Sequence, residues 1–219
     1  MIKRIKRLRL YFTTLILFVL FACIFLWLFP KKEGFLLLNL HHSYFLDISF
    51  RLLTNLGDGL VSLLFILAFV IRKSRKKAIT LLLAYASSSI LAQVAKWIFD
   101  LPRPRLFLDQ LNVDYPNFVD GVILYDHHSF PSGHTASAFA LATVLVLIFK
   151  KKKISGICIL LAIIVGYSRI YLAQHFLMDV LVGAILGTSC ALVSYYQVYD
   201  RKLFRSNKVI KRYRKLNTA

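Results

Sequence analysis

The sequence predicts an all-α, polytopic membrane protein with six transmembrane helices in one domain, residues 1–219. Three observations predict it. Apolar residues form 58% of the chain and mean hydropathy is +0.64. They come in blocks near the ~20 residues that a bilayer crossing needs, without the alternation of a sheet or the stripes of a soluble helix. The basic residues lie in the gaps between blocks, as membrane topology requires.

The first span is read over Leu10 to Phe29, closed by Pro30 and Lys31. A basic start, a long apolar run and no Ala-x-Ala exit make it an uncleaved signal anchor. "LFAC" is a poor lipoprotein site, because Phe21 is bulky and the apolar run continues past Cys23. The second span, Leu60 to Ile71, is short and must recruit Leu52 to Gly59 or tilt. The third covers Ala78 to Phe99. The fourth starts near Ser132 and stops before Lys150. The fifth and sixth cover Ile154 to Tyr171 and Phe176 to Tyr196. "PKKEGFLLLNLHHSYFLDISFRLL" between the first two spans is amphipathic enough to lie along the interface. Cys23, Cys158 and Cys190 all sit in apolar blocks without metal-ligand spacing and read as small buried residues.

Charge sets the orientation. Of the 29 Lys and Arg residues, 22 fall on one side of this alternation: the N-terminus, Arg72 to Lys77, Lys150 to Lys153, and the tail (about 199–219). The positive-inside rule makes that side, with both termini, cytoplasmic. The net charge of +19 is thus explained by topology, and no soluble module remains to bind nucleic acid. The expected partners are the bilayer and a lipid.

Seven basic residues, Lys31, Lys32, Arg51, Lys96, Arg103, Arg105 and Arg169, run against this trend, and the last four gather beside the second and third outer segments. Lys96, Arg103 and Arg169 can converge on one anion, since arginine's fork matches phosphate oxygens and lysine adds a point charge. "PSGH", Pro131 to His134, opens the fourth span. The unpaired N–H groups of a helix start around Ser132 and Gly133 form an anion cradle, and glycine permits close approach. The plainer reading makes Ser132 an ordinary N-cap and His134 an interfacial residue. His175 and Asp179 are spaced i, i+4, and Asp179 stands inside the apolar run "FLMDVLVGAIL". A carboxylate there is costly and makes Asp179 a functional candidate, the plainer reading being a structural His–Asp pair or a cap. The carboxylate can keep one imidazole nitrogen protonated and leave the other free as a nucleophile. No cofactor is implied, and no carboxylate cluster of the kind that holds Mg²⁺ is present.

"KWIFDLPRP" (Lys96 to Pro104), "PSGH" and "SRIYLAQHFLMD" (Ser168 to Asp179) together resemble the three-part signature of the type 2 phosphatidic acid phosphatase superfamily. That superfamily also includes glucose-6-phosphatase and the vanadium haloperoxidases. The resemblance covers about 78–196, the expected catalytic core. It implies a helical bundle like that of the acid phosphatases and haloperoxidases, and metal-independent phosphatase chemistry. By this analogy His175 is the nucleophile, Asp179 its partner and His134 the general acid, while Lys96, Arg103, Ser132, Gly133 and Arg169 bind phosphate. Neutral His175 with protonated His134 implies a bell-shaped rate profile. The small size and basic cytoplasmic loops point to a bacterial inner membrane, with the site facing outward.

The expected substrate is the phosphate or pyrophosphate head group of a lipid. Undecaprenyl pyrophosphate and lipid A come first, then phosphatidylglycerol phosphate and phosphatidic acid. A non-catalytic lipid-phosphate binder or transporter is the alternative; it needs the cations but no nucleophile. The outer segment after Arg105, with His127 and His128, is undeciphered, and its His pair, like His41 and His42, reads as a surface feature.

Overall fold

The structure is a computed structural model that describes residues 2–199. The basic tail from Asp200 onward and the N-terminal basic side chains through Arg7 lie outside the described residues. Every regular element among the described residues is helical.

The chain begins with α1 (Ile2–Leu28), followed by two short helices, α2 (Lys31–Leu38) and α3 (Tyr44–Leu53). These occupy the segment read as interfacial. Ser43 starts α3, its Oγ accepting from the Leu46 N–H at 3.3 Å. A 3₁₀ turn, Thr54–Gly57, leads to α4 (Gly59–Ile71). Of Leu52 to Gly59, only Gly59 joins α4. Asp58 caps it by accepting from the Leu60 N–H at 2.8 Å, and the helices on either side meet at 49°. The short second span is thus one arm of a bent pair.

Next come α5 (Arg75–Phe99), α6 (Pro104–Gln110), α7 (Gly133–Phe149), α8 (Lys152–Tyr171) and α9 (Leu177–Tyr199). α6 lies in the outer segment and was not anticipated; Pro104 at its first position suits a helix start. Four helices, α1, α5, α8 and α9, are long and apolar enough to cross a bilayer, and the bent pair makes a fifth if it is one span. α7 is apolar but has 17 residues, and every position from Thr135 to Leu147 is buried. It is the central helix, wrapped by α5, α8 and α9.

Two glycines let α9 approach α7. A Cβ on Gly183 would stand 2.6 Å from the Ser132 carbonyl oxygen, and one on Gly187 would overlap the Ala136 carbonyl. The first turn of α7 is therefore set directly against α9.

The basic junctions share one end of the bundle. Lys77 Nζ lies 5.2 Å from the Phe149 ring centroid, and Lys150 Nζ donates to Tyr195 Oη at 3.0 Å. The C-terminal ends of α5 and α8 and the N-terminal ends of α7 and α9 lie at the other end. They carry the residues singled out by their chemistry.

Candidate active site

α9 contributes the carboxylate. Asp179 is 3% exposed, and its Oδ2 accepts from Ser129 Oγ at 2.6 Å and from the Phe176 N–H at 2.9 Å. His175 Nδ1 lies 3.4 Å from the same oxygen, off the angle of a full hydrogen bond. Asp179 is thus fixed by two short bonds, and the imidazole stands against it. His175 occupies the turn between α8 and α9 and is 2% exposed. Burial lowers its pKa to about 3, overriding the opposing pull of Asp179. The imidazole is therefore neutral near pH 7. A carboxylate at Nδ1 favours the tautomer with its proton there, which leaves Nε2 with a free lone pair.

The arginines are joined by a residue that the sequence reading passed over. Gln174 Oε1 accepts from Arg103 Nη1 at 3.0 Å and from Arg169 Nη2 at 3.4 Å. Its own Nε2 donates to the Ile123 carbonyl at 3.0 Å. Arg169 Nη1 donates to Thr54 Oγ1 at 2.8 Å. Its Nε is buried and has no acceptor among the described residues. A buried donor without a partner costs ~1–3 kcal/mol, and an incoming anion would satisfy it.

Arg103 is held more fully. Its Nε donates to the His127 carbonyl at 2.9 Å, and Nη2 faces the His128 carbonyl at 3.5 Å. Its guanidinium carbon lies 5.2 Å from the Tyr125 ring centroid. Burial lowers its pKa, with Asp179 opposing. The outer loop therefore grips Arg103. It is pinned in turn by a bidentate pair, Arg105 Nη2 to Asp126 Oδ1 and Oδ2, both at 2.7 Å. His127 and His128 lie 3.5 and 3.0 Å from Asp100 Oδ1, at the end of α5. They brace the loop; their rings do not join the Asp179 cluster.

Lys96, in the last turn of α5, is half-buried and within electrostatic reach of Arg103, Arg169 and Asp179. Ser132 is the N-cap of α7: Oγ accepts from the Thr135 N–H at 3.4 Å and from Thr135 Oγ1 at 2.8 Å. The plainer reading of Ser132 is thus correct for its oxygen, while its hydroxyl proton remains free to donate. The N–H groups of Gly133 and His134 start the helix without intrahelical partners. A Cβ on Gly133 would meet nothing within 4 Å, so open space lies before this turn. His134 is half-buried, and the charges of Arg169, Asp58, Lys96 and Arg103 reach it.

The structure therefore gathers all eight residues singled out in the sequence. It adds Gln174, Thr54, Ser129 and Tyr125. Gln174 and Ser129 carried a faint signal, as polar residues beside His175 and Pro131. Thr54 carried none.

The sequence profile of the PAP2 superfamily matches residues 77–203. The chain belongs to the PAP2 superfamily.

Its similarity to individual PAP2 proteins is moderate. It is 29% identical over 128 residues to an undecaprenyl-diphosphatase of Sulfolobus acidocaldarius, covering 58% of each chain. It is 41% identical over 58 residues to a lipid A 4'-phosphatase of Bacteroides thetaiotaomicron, covering 26% of each. The chain thus spans less than two thirds of these two relatives. Among solved structures, Aquifex aeolicus LpxE superposes with a TM-score of 0.67 at 34% identity, covering 76% of this chain and 95% of that one. A PAP2-type phosphatidylglycerolphosphate phosphatase from Bacillus subtilis superposes at 0.62 with 26% identity, covering 87% and 96%. The chain is a multi-pass membrane protein of this superfamily.

Gln174→Leu tests the bridge between the arginines. It leaves two guanidinium groups short of an acceptor and free to turn. We expect kcat/KM for phosphate release to fall about 10- to 100-fold with the fold intact. An unchanged kcat/KM would mean that Thr54 and the loop carbonyls suffice.

Proposed function

We propose that this PAP2 protein hydrolyses the phosphate or pyrophosphate head group of a membrane lipid, without a metal, through a phosphohistidine. The observation that carries the reading is the neutral His175 beside Asp179, next to a buried arginine Nε that lacks an acceptor. A binder needs the cations; it has no use for a histidine aligned by a buried carboxylate.

His175 Nε2 attacks phosphorus as the P–O bond to the lipid breaks. His134, in its protonated form, gives its proton to the departing oxygen. Lys96, Arg103, Arg169, the Ser132 hydroxyl and the N–H groups of Gly133 and His134 hold the equatorial oxygens as charge shifts. Neutral His134 then takes a proton from water, the water oxygen attacks phosphorus, and the N–P bond breaks. Inorganic phosphate leaves and both histidines are restored.

The bilayer completes the reading. With the bent pair counted once and the buried α7 spanning inside its ring of helices, the chain crosses six times. The basic end is cytoplasmic by the positive-inside rule, which puts the site on the outer face of a bacterial inner membrane. The lipid classes named for the relatives support undecaprenyl pyrophosphate or lipid A as substrate.

The test is phosphate release by the purified protein in detergent with EDTA, over a panel of these two lipids, phosphatidylglycerol phosphate and phosphatidic acid. We expect turnover that EDTA does not diminish, and acid-labile phosphate on the protein after a rapid quench. Folded protein that binds these lipids and hydrolyses none would be a binder.

A further inference from the structure

The catalytic reading leaves a large cavity beside the site unused. It lies between the outer end of α1, α2 and the start of α9, with a volume of about 480 Å³. That falls in the ~300–1,000 Å³ range of ligand sites. Its walls are mostly apolar, with six phenylalanines, among them Phe25, Phe29, Phe35 and Phe176. Asp179 borders it, so the cavity reaches the carboxylate behind His175 from the side of α1.

One cation stands on this wall. Lys31 Nζ lies 4.0 Å from the Phe176 ring centroid and 4.4 Å from that of Phe107. Cation–π contact holds the ammonium there. Lys32 pairs with Glu33 at 3.6 Å, but Lys31 has no ion-pair partner among the described residues. Burial lowers its pKa, and the charge of Asp179 partly offsets this.

A solvent-accessible ammonium held over two rings at the rim of an apolar chamber matches an amphiphile with one anionic group beside a hydrocarbon chain. The ammonium belongs to neither the phosphate cradle nor the cytoplasmic charge pattern. A second apolar groove, about 240 Å³ between α4, α7 and α8, has no charged residue on its walls. Charge complementarity therefore selects the first.

We infer that this cavity takes the hydrocarbon chain of the substrate lipid, and that Lys31 binds a second anionic group of that lipid, next to the phosphate removed. This rests on the phosphatase reading and narrows it. The favoured class is a lipid with two adjacent anionic groups, of which a polyprenyl diphosphate is the simplest. The terminal phosphate enters the cradle at His175, the retained one faces Lys31, and the chain runs along the phenylalanines.

Two measurements test it. The first is kcat/KM for a polyprenyl diphosphate relative to the monophosphate of the same chain. Lys31→Gln should lower this ratio about tenfold, the worth of one charged hydrogen bond. Lys31→Arg should restore most of it. A ratio unmoved by Lys31→Gln overturns the role of Lys31. The second uses a polyprenyl diphosphate with a photoreactive group in its chain, on the His175→Ala variant. Crosslinks at Phe25, Phe29 or Met178 support the chamber. Crosslinks at Leu56, Phe65 or Leu161 place the chain in the other groove and overturn it. Native protein that hydrolyses neither lipid nor a short water-soluble phosphate ester would instead overturn the phosphatase reading itself, and the inference with it.

Discussion

His175→Ala is expected to lower phosphate release about 10⁴-fold or more, because under the proposed mechanism it removes the group that forms the covalent intermediate. Asp179→Asn should be milder, about 10²- to 10⁴-fold. It keeps the shape but removes the charge that selects the tautomer with Nε2 free. Phosphate release with a saturating lipid measures both, and covalently bound phosphate should vanish in His175→Ala. Turnover left intact in that variant would remove the histidine mechanism. The same residue predicts a pH effect. Its folded-state pKa is about 3, against an ordinary value of 6.5. Protons therefore favour the unfolded chain between these values. The stability tied to neutral His175 is fully present above about pH 6.5 and is lost as pH falls toward 3. His175→Ala should flatten this part of the acid unfolding curve. An acid limb of the native rate near pH 6.5 would contradict the burial of this imidazole.

The second large effect is expected at Gly187. Any side chain there drives its Cβ into the Ala136 carbonyl, which is rigid helix backbone. Gly187→Val should therefore push α7 off α9 and cost more than the ~1–3 kcal/mol of ordinary overpacking. The displaced element is the first turn of α7, so the proposed phosphate cradle goes with it. We expect loss of folded protein by size-exclusion chromatography, or a much lower unfolding midpoint with no activity. Gly133→Ala is the contrast. Its Cβ enters open space, so the unfolding midpoint should hold while phosphate release falls, because the methyl intrudes where the anion must approach. A stable and active Gly187→Val would show that the two helices are not locked as described.

How much was legible depended on whether a residue's reason was local. Most helix boundaries were, because apolar blocks end at Pro30, Lys31 and Lys150 by local physics. The Asp58 cap was missed, since one carboxylate in a half-apolar stretch does not announce a 49° bend. α7 was read as an ordinary span. Its near-complete burial follows from three neighbours that hydropathy cannot count. Ser132 was read two ways, and its contact with Thr135 makes it the cap while leaving its hydroxyl proton for an anion.

By itself, the sequence determined the class of the protein and pointed to the groups proposed to react. Basic gaps between apolar blocks dictate a helical membrane protein, and ionisable residues inside such blocks are costly. The tertiary structure decided how those groups are held. Gln174 bridges two arginines that are 66 residues apart in the chain (Arg103 and Arg169), Thr54 reaches Arg169 from a different helix, and Ser129 locks Asp179. Such bonds depend on donor and acceptor meeting within about 3 Å. Tertiary packing alone brings them that close: α8 against the 3₁₀ turn at Thr54, and α7 against α9 through glycines with no side chain to read.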